Sequence, residues 1–400
     1  MYAIIMVAPT PFFADRGCHV RIYEEARALQ NLGNKVIIYT YHNGRDMPGI
    51  QIRRIMNIPW YKRLEAGPSY QKLYLDFLLL LKLMESNIYK EADVIHAHLH
   101  EGALLGEIYK KFKKIPLVFD FQGSLTSEVL DHNFLKGKSF TLKFIRKIED
   151  SINSSADAIV VSSANSANLL KKELNIKKDK IFVVQDGVNV NEFKMCNDTL
   201  PLKRKLNLPL DKKIVVYLGL LNRYQGVDCF LETISYVVKK NKDVHFLIMG
   251  YPDVEKYKKI AIEKKINHNI TLTGRIDYRQ APQYLSLGDV AVSPKISKTE
   301  SNGKLYNYMA LGLPTVVFET PVNREILGDL GIYAELGNPI SLAEKLEMVL
   351  SNENLAENLG KKLKEKAVDV YSWQAAGEKL MDVYRTILEN GVKSPIEKKN

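Results

Sequence analysis

Four hundred residues with 46% hydrophobic and 26% charged content are too many for one ordinary core and suit two α/β domains of roughly 150–200 residues each. A balance of 57 Lys+Arg against 46 Asp+Glu gives +11, which favours anionic partners such as phosphates, nucleic acid or acidic lipid without choosing among them. Cys18, Cys196 and Cys229 are odd in number, far apart and form no C-x-x-C pair, which argues against a disulfide framework or a zinc site and for a reducing compartment.

The chain opens on a short apolar strand, Ala3–Ala8. No basic segment precedes it and no cleavage pattern follows, so it does not read as a signal peptide. A helix is expected from about His19 to Leu32, then strands at Val36–Tyr39, Ala92–Ala97, Leu117–Phe121, Ala158–Val161 and Ile181–Val184, with helical periods between them. The apolar run Phe77–Leu81 is bounded by Asp76 and Lys82, far short of the ~20 residues that span a bilayer. Between Asp186 and Leu208 the periodicity fades, which places the interdomain link there. A second alternating series follows at Ile214–Leu218, His245–Met249, Ile270–Leu272, Val290–Ser293 and Thr315–Phe318. Strand–helix alternation of this kind implies doubly wound parallel sheets. The expected domains are therefore 1–195 and 200–371, with an amphipathic C-terminal helix over 372–390 packing back on the first.

Ligands of open parallel sheets bind beyond the carboxyl ends of the strands, which directs attention to the loops found there. Thr10–Gly17 follows the first strand and leads into a helix, offering backbone N–H groups at Gly17 and a guanidinium at Arg16 to an anion. Gly219–Gly226 repeats the arrangement in the second half, with Arg223 available to a diphosphate. Ser293–Pro314 is the most specific segment: a strand end, a polar loop carrying Glu300, Ser301, Asn302 and Gly303, and a helix from Lys304 to Leu311 on which Lys304 and Asn307 share a face. His96, His98 and His100 alternate at the end of a strand, but a metal site is not expected there, and His98 is the candidate to stand beside an acceptor. No G-x-G-x-x-G, Walker or Asp-x-Asp pattern occurs, which removes the main support for nicotinamide, P-loop and metal-diphosphate chemistry. No cofactor is expected.

Three blocks carry a family resemblance: Gln225-Gly-Val-Asp228, Ile270-Thr-Leu-Thr-Gly274 and Lys304-Leu-Tyr-Asn-Tyr-Met-Ala-Leu-Gly-Leu-Pro314. Asp93-Val-Ile-His-Ala-His98, Pro116-Leu-Val-Phe-Asp-Phe-Gln-Gly123 and Asp186-Gly-Val-Asn189 add weaker matches in the first half. Together they resemble the retaining glycosyltransferases of family 4. The resemblance implies a GT-B fold of two Rossmann-like domains facing a cleft, and transfer of a sugar from a UDP- or GDP-sugar to a glycan or lipid-linked acceptor. It implies Glu300, His98 and Gln122 near the reacting groups, and Gly17, Arg16, Arg223, Ser301, Asn302, Gly303, Lys304 and Asn307 at the donor, with backbone near Arg275 at the base. The chain departs from the family at Asn307, where a ribose-binding glutamate is usual, at Leu220 and Gln225, where an arginine and a lysine are usual, and at Gln122, where a histidine is usual.

Two alternatives stay open: an isomerase of the same two-domain architecture acting on a nucleotide sugar, and a non-catalytic polyanion binder. Nucleic acid is not an expected partner, because the basic residues are scattered rather than gathered with aromatics in a stripe. An amphipathic basic helix over Phe134–Ile152, with Phe140, Phe144, Ile148 and Ile152 at four-residue intervals and Lys143, Arg146 and Lys147 among them, suggests contact with an anionic membrane. The expected location is cytoplasmic, peripheral on the inner face of the membrane.

Overall fold

The structure is a computed structural model that describes residues 1–62, 64, 70–85, 92–126, 139–174, 176–297 and 301–393. It divides into two units. The first comprises Met1–Ala14, Cys18–Gln185 and Trp373–Asn400, and the second Asp15–Gly17 and Asp186–Ser372. The main chain changes unit where the apolar periodicity of the sequence begins to fade.

The first unit contains β1 (Ala3–Ala8), α1 (Gly17–Asn31), β2 (Lys35–Thr40), β3 (Gln51–Arg54), α2 (Tyr70–Glu85), β4 (Val94–His98), α3 (Leu99–Lys113), β5 (Leu117–Phe121), α4 (Ser139–Ser155), β6 (Ala158–Val161), α5 (Ala164–Glu173) and β7 (Ile181–Val183). Its seven strands are ordered β3-β2-β1-β4-β5-β6-β7 and pair in parallel. The central strands β4, β5 and β6 are buried along their whole length; β6 accordingly reads as a continuous apolar run, whereas β4 and β5 also bury His96, His98 and Asp120. A core of Ile5, Val7, Ile37, Ile95, Leu117, Phe119 and Ile159 joins the sheet to Leu75, Leu79 and Leu83 of α2. The C-terminal helix Trp373–Lys393 lies on this unit, with Tyr384 buried and its hydroxyl 2.7 Å from His96 Nδ1.

The second unit contains α6 (Leu200–Lys205), β8 (Lys213–Leu218), α7 (Val227–Lys240), β9 (Val244–Met249), α8 (Val254–Glu263), β10 (Ile270–Gly274), α9 (Ala281–Leu285), β11 (Val290–Ser293), α10 (Lys304–Ala310), β12 (Thr315–Phe318), α11 (Pro321–Leu327), β13 (Ile332–Ala334), α12 (Pro339–Leu350) and α13 (Glu353–Val370). The strand order is β10-β9-β8-β11-β12-β13, again all parallel. Val215, Phe246, Ile248, Val292 and Val316 of the sheet pack with Phe230, Ile234 and Val237 of α7 and Leu342 and Leu346 of α12.

Each sheet reverses direction of build at one place, between β1 and β4 in the first unit and between β8 and β11 in the second. Loops leaving such a pair of strands part to opposite faces and open a crevice at the carboxyl ends. The candidate residues named from the sequence fall largely on these loops.

Candidate active site

In the second unit, the loops after β8 and β11 are fastened to each other by backbone contact. Gly226 has φ +74, and a Cβ there would sit 1.8 Å from the carbonyl oxygen of Pro294; Ile296 N–H also donates to Tyr224 O at 3.1 Å. Only glycine tolerates both the left-handed backbone and this approach. Asn222 caps the short turn Arg223–Gln225 by accepting from Gln225 N–H at 3.1 Å. Tyr308 of α10 ties the same region together, its hydroxyl accepting from Leu218 N–H at 2.9 Å.

Lys304, the first residue of α10, reaches back to the loop after β8. Its Nζ donates to Gln225 Oε1 at 2.6 Å and lies 5.3 Å from the centroid of the Tyr217 ring. At Gly219 an added Cβ would come within 3.0 Å of Lys304 Cε and 3.1 Å of Nζ, so the absent side chain makes the room in which the ammonium sits. Burial pushes the Tyr217 and Tyr308 phenols well up, and both remain neutral hydroxyls beside the lysine. Lys304 and Asn307 are the partly exposed members of a helix whose Leu305, Tyr306, Tyr308 and Met309 are buried. Arg223 is exposed at the rim of the loop.

Several residues read as ligand-facing have other commitments. Asn302 is buried: its Nδ2 donates to Ser293 Oγ at 3.0 Å and to Asn323 Oδ1 at 2.9 Å, so its side chain braces the loop against β11 and α11. Ser301 donates its hydroxyl to Asp186 and gives its carbonyl to the buried ammonium of Lys295 at 2.7 Å. Gly303 precedes α10 with ordinary helical backbone. Arg275 pairs with Asp15 at 2.7 Å and lies over the Tyr251 ring at 5.3 Å. Gly17 opens α1, and a Cβ added to it would meet nothing within 4 Å, so no close backbone approach requires a glycine there; Arg16 beside it is partly buried. Glu300 lies outside the described residues. The helix expected over Lys304–Leu311 closes after seven residues, so the lysine charge carries more of any anion binding than the short helix dipole does.

The crevice of the first unit is lined by a buried ionic network. Parallel register sets His98 of β4 directly beside Asp120 of β5, and His98 Nδ1 stands 3.0 Å from Asp120 Oδ2. Arg21 of α1 donates through Nε to both Asp120 oxygens at 3.0 and 3.1 Å, and its Nη2 lies 2.9 Å from Asp120 and 3.0 Å from Glu25. Gln122 Nε2 donates to Asp120 Oδ2 at 2.7 Å. Burial opposes the charge on Asp120, but Arg21 and the His98 hydrogen bond outweigh it and hold the carboxyl far below the usual range. Burial, reinforced by His98, holds His96 well below the usual histidine range. Ligating atoms of Glu25, His96, His98 and Asp120 lie within 4.8 Å of one another. Within this group the Arg21 cation pairs with both carboxylates, Glu25 and Asp120.

The rest of the crevice is fixed by short loops. His19 clamps the loop after β1, accepting from Ala14 N–H at 2.8 Å through Nδ1 and donating through Nε2 to Thr10 Oγ1 at 2.7 Å. Glu149 of α4 accepts from the N–H groups of Leu125 and Thr126 at 3.0 and 3.2 Å, with His100 Nε2 3.6 Å away. It thereby anchors the loop that carries Gln122. Sequence reasoning missed Asp120, Arg21 and Glu149; a charged residue inside the apolar run Leu117–Phe121 was the available signal.

Comparison with known proteins agrees with this architecture. Residues 16–192 match the family described as Glycosyltransferase Family 4, and residues 198–366 match Glycosyl transferases group 1. The D-inositol 3-phosphate glycosyltransferase of Corynebacterium diphtheriae is 25% identical over 308 residues, 73% of this chain and 70% of that protein. A sulfoquinovosyl transferase of Arabidopsis thaliana is 23% identical over 385 residues, 94% of this chain and 72% of that one. Among solved structures, a sucrose-phosphate synthase of Thermosynechococcus elongatus superposes with TM-score 0.81 at 17% identity, covering 98% of this chain and 100% of that one. HepE of Anabaena, in complex with UDP and glucose, superposes with TM-score 0.80 at 13% identity, covering 96% and 100%. Two all-parallel units, the matched halves and these relatives lead to one conclusion: the chain belongs to glycosyltransferase family 4 and is a glycosyltransferase of the GT-B fold.

Proposed function

We propose that this enzyme moves a sugar from a UDP- or GDP-sugar to a glycan or lipid-linked acceptor, with retention of anomeric configuration and without a metal ion on the diphosphate. The observation that carries the reading is the Lys304 ammonium, seated over the Tyr217 ring and against Gln225 at the point where the second sheet reverses. A fixed cation there stabilises the charge that develops on a departing diphosphate without reorganising during the reaction. The absence of any Asp-x-Asp from the sequence supports assigning this task to side chains. Arg223 and Arg16 add charge at the donor, Ser301 and Gly303 backbone with Glu300 hold sugar and phosphates, and Asn307 bonds the ribose. Gln122 meets the transferred sugar, and His98, fully buried rather than open to an acceptor, bears on that contact through Asp120, to which both are hydrogen-bonded. HepE, whose solved complexes contain UDP and UDP-glucose, lends the nucleotide choice its support.

For the acceptor, we read the first unit as resting on an anionic membrane. Lys143, Arg146 and Lys147 are exposed on α4. On α2, which like α4 packs against α3, Leu73, Tyr74, Phe77 and Leu81 are exposed in a stripe, with Trp60 stacked on Tyr74 at 6.3 Å. No described helix is long and apolar enough to cross a bilayer.

Calorimetric titration of UDP and GDP, with and without chelator, tests the donor reading. Binding of one nucleotide unaffected by chelator is expected. Binding of neither, or binding lost with chelator, overturns it. Product analysis with an acceptor then separates transfer from isomerisation, which would return an altered nucleotide sugar with no acceptor present.

A further inference from the structure

The hydrogen-bond donors around Asp120 leave little freedom to their partners. Arg21 has only donors to offer, and it approaches both carboxylate oxygens from one side. An ionised carboxylate accepts and cannot donate. His98 must therefore present Nδ1–H to it. The same logic fixes the amide of Gln122: the group 2.7 Å from Asp120 Oδ2 is the NH2 end, and the carbonyl oxygen Oε1 is the atom left for a ligand. Asp120 is fully buried whereas Gln122 is partly exposed, so a choice made in the core is displayed at the surface of the crevice. Two further anchors limit Gln122: its place directly after β5, and the hold of Glu149 on Leu125 and Thr126.

We propose that Asp120 is a positioning residue that locks the Gln122 amide with Oε1 outward, so that the enzyme selects a donor sugar carrying a hydroxyl at the position facing that oxygen. This rests on the reading that Gln122 meets the transferred sugar. An acceptor-only contact distinguishes hydroxyl from fluorine or hydrogen, because neither replacement can donate to Oε1. A freely rotating glutamine would not distinguish hydroxyl from fluorine as sharply, since its NH2 could turn toward an acceptor on the sugar.

The test measures binding of the UDP- or GDP-hexose that the wild-type enzyme takes, with its monodeoxy and deoxyfluoro analogues at each ring position, and of the nucleoside diphosphate alone. In the wild type, one position should lose roughly 3- to 10-fold in affinity when its hydroxyl becomes fluorine, the value of one neutral hydrogen bond. Gln122→Met should abolish that discrimination and leave nucleoside diphosphate binding unchanged. Asp120→Asn, whose own amide can meet Gln122 in either orientation, should shrink the hydroxyl-to-fluorine ratio several-fold while Gln122 remains present.

Where Asp120→Asn does not fold, Arg21→Gln with Glu25→Gln and Asp120→Asn removes the buried cation together with both carboxylates it pairs with and serves the same comparison. General structural damage would weaken hydroxyl and fluoro donors alike and leave their ratio intact, and an intact ratio in Asp120→Asn overturns the positioning role. Gln122→Met without effect on any sugar analogue overturns instead the underlying placement of Gln122 at the sugar, and the two failures are thereby told apart.

Discussion

The ammonium of Lys304 and the amide oxygen of Gln225, 79 positions apart, meet at 2.6 Å. A residue at the start of α10 thus places its charge on the loop after β8, where the family usually carries a lysine and this chain has glutamine. Lys304→Ala should weaken nucleoside diphosphate binding by ~1.5–3 kcal/mol, the value of a charged hydrogen bond, with a much smaller effect on the nucleoside. Asn307→Ala should weaken both about equally, by ~0.5–1.5 kcal/mol. Isothermal titration of both ligands decides the matter, and equal losses in the Lys304 variant would remove the lysine from the diphosphate.

Gly226 and Gly17 make a paired test of loop stitching. Alanine at 226 must hold φ +74 and place Cβ 1.8 Å from Pro294 O, which costs ~1–3 kcal/mol for the backbone alone and more for the displaced loop. Alanine at 17 meets nothing within 4 Å and should stay within about 0.5 kcal/mol of wild type. Chemical denaturation of the two variants checks this; a neutral Gly226→Ala would mean that the loops after β8 and β11 are not pinned together.

Asp76 gives a pH dependence whose sign is fixed. Burial, with the nearby charge of Glu101, raises its pKa to about 7, against the lowering effect of the Tyr41 hydrogen bond at 2.5 Å and of Lys72. The folded protein therefore holds a proton that the unfolded chain has released above about pH 4. The stability this contributes is complete below the unfolded value and is lost as pH rises through about 7. Asp76→Asn should flatten the fall in unfolding free energy between pH 5 and 8 relative to wild type. Identical slopes in the two proteins would refute the assignment.

Much of the framework was legible because buried parallel strands are continuous apolar runs: Ala3–Ala8, Leu117–Phe121, Ala158–Val161, Val290–Ser293 and Thr315–Phe318 form as expected. The strand Gln51–Arg54 was not legible, since an edge strand that alternates exposed and half-buried residues needs no such run. Within the site, Lys304 and Asn307 could be placed on one face from helical spacing alone. Asn302 could not be distinguished from a ligand-binding residue, because its partners Ser293 and Asn323 are set by packing of β11 against α11. Arg275 and Asp15 are 260 positions apart, and His98 meets Asp120 through the register of two strands. Such pairings are properties of topology, and no local pattern announces them.

The proposed attachment to a membrane rests on fewer residues of α4 than its sequence suggests. Phe134–Lys138 and the side chains of Phe140 and Phe144 lie outside the described residues, so the four-residue apolar stripe rests on Ile148 and Ile152. Of these Ile152 is buried and Ile148 is exposed, on the solvent side with Lys143, Arg146 and Lys147. An apolar residue among three cations suits the lipid–water interface, where each basic side chain contributes ~1 kcal/mol near an anionic surface. The exposed Trp60, Tyr74 and Phe77 add aromatic groups of the kind that settle at headgroup level. Co-sedimentation should therefore show salt-sensitive binding to vesicles rich in phosphatidylserine and none to phosphatidylcholine vesicles. Changing Lys143, Arg146 and Lys147 together to Glu should abolish binding, whereas Trp60→Ser with Phe77→Ser should weaken it even at low salt. Binding to neutral vesicles as strong as to anionic ones would refute the electrostatic attachment, and no binding to anionic vesicles at low salt would leave a soluble glycan as the acceptor.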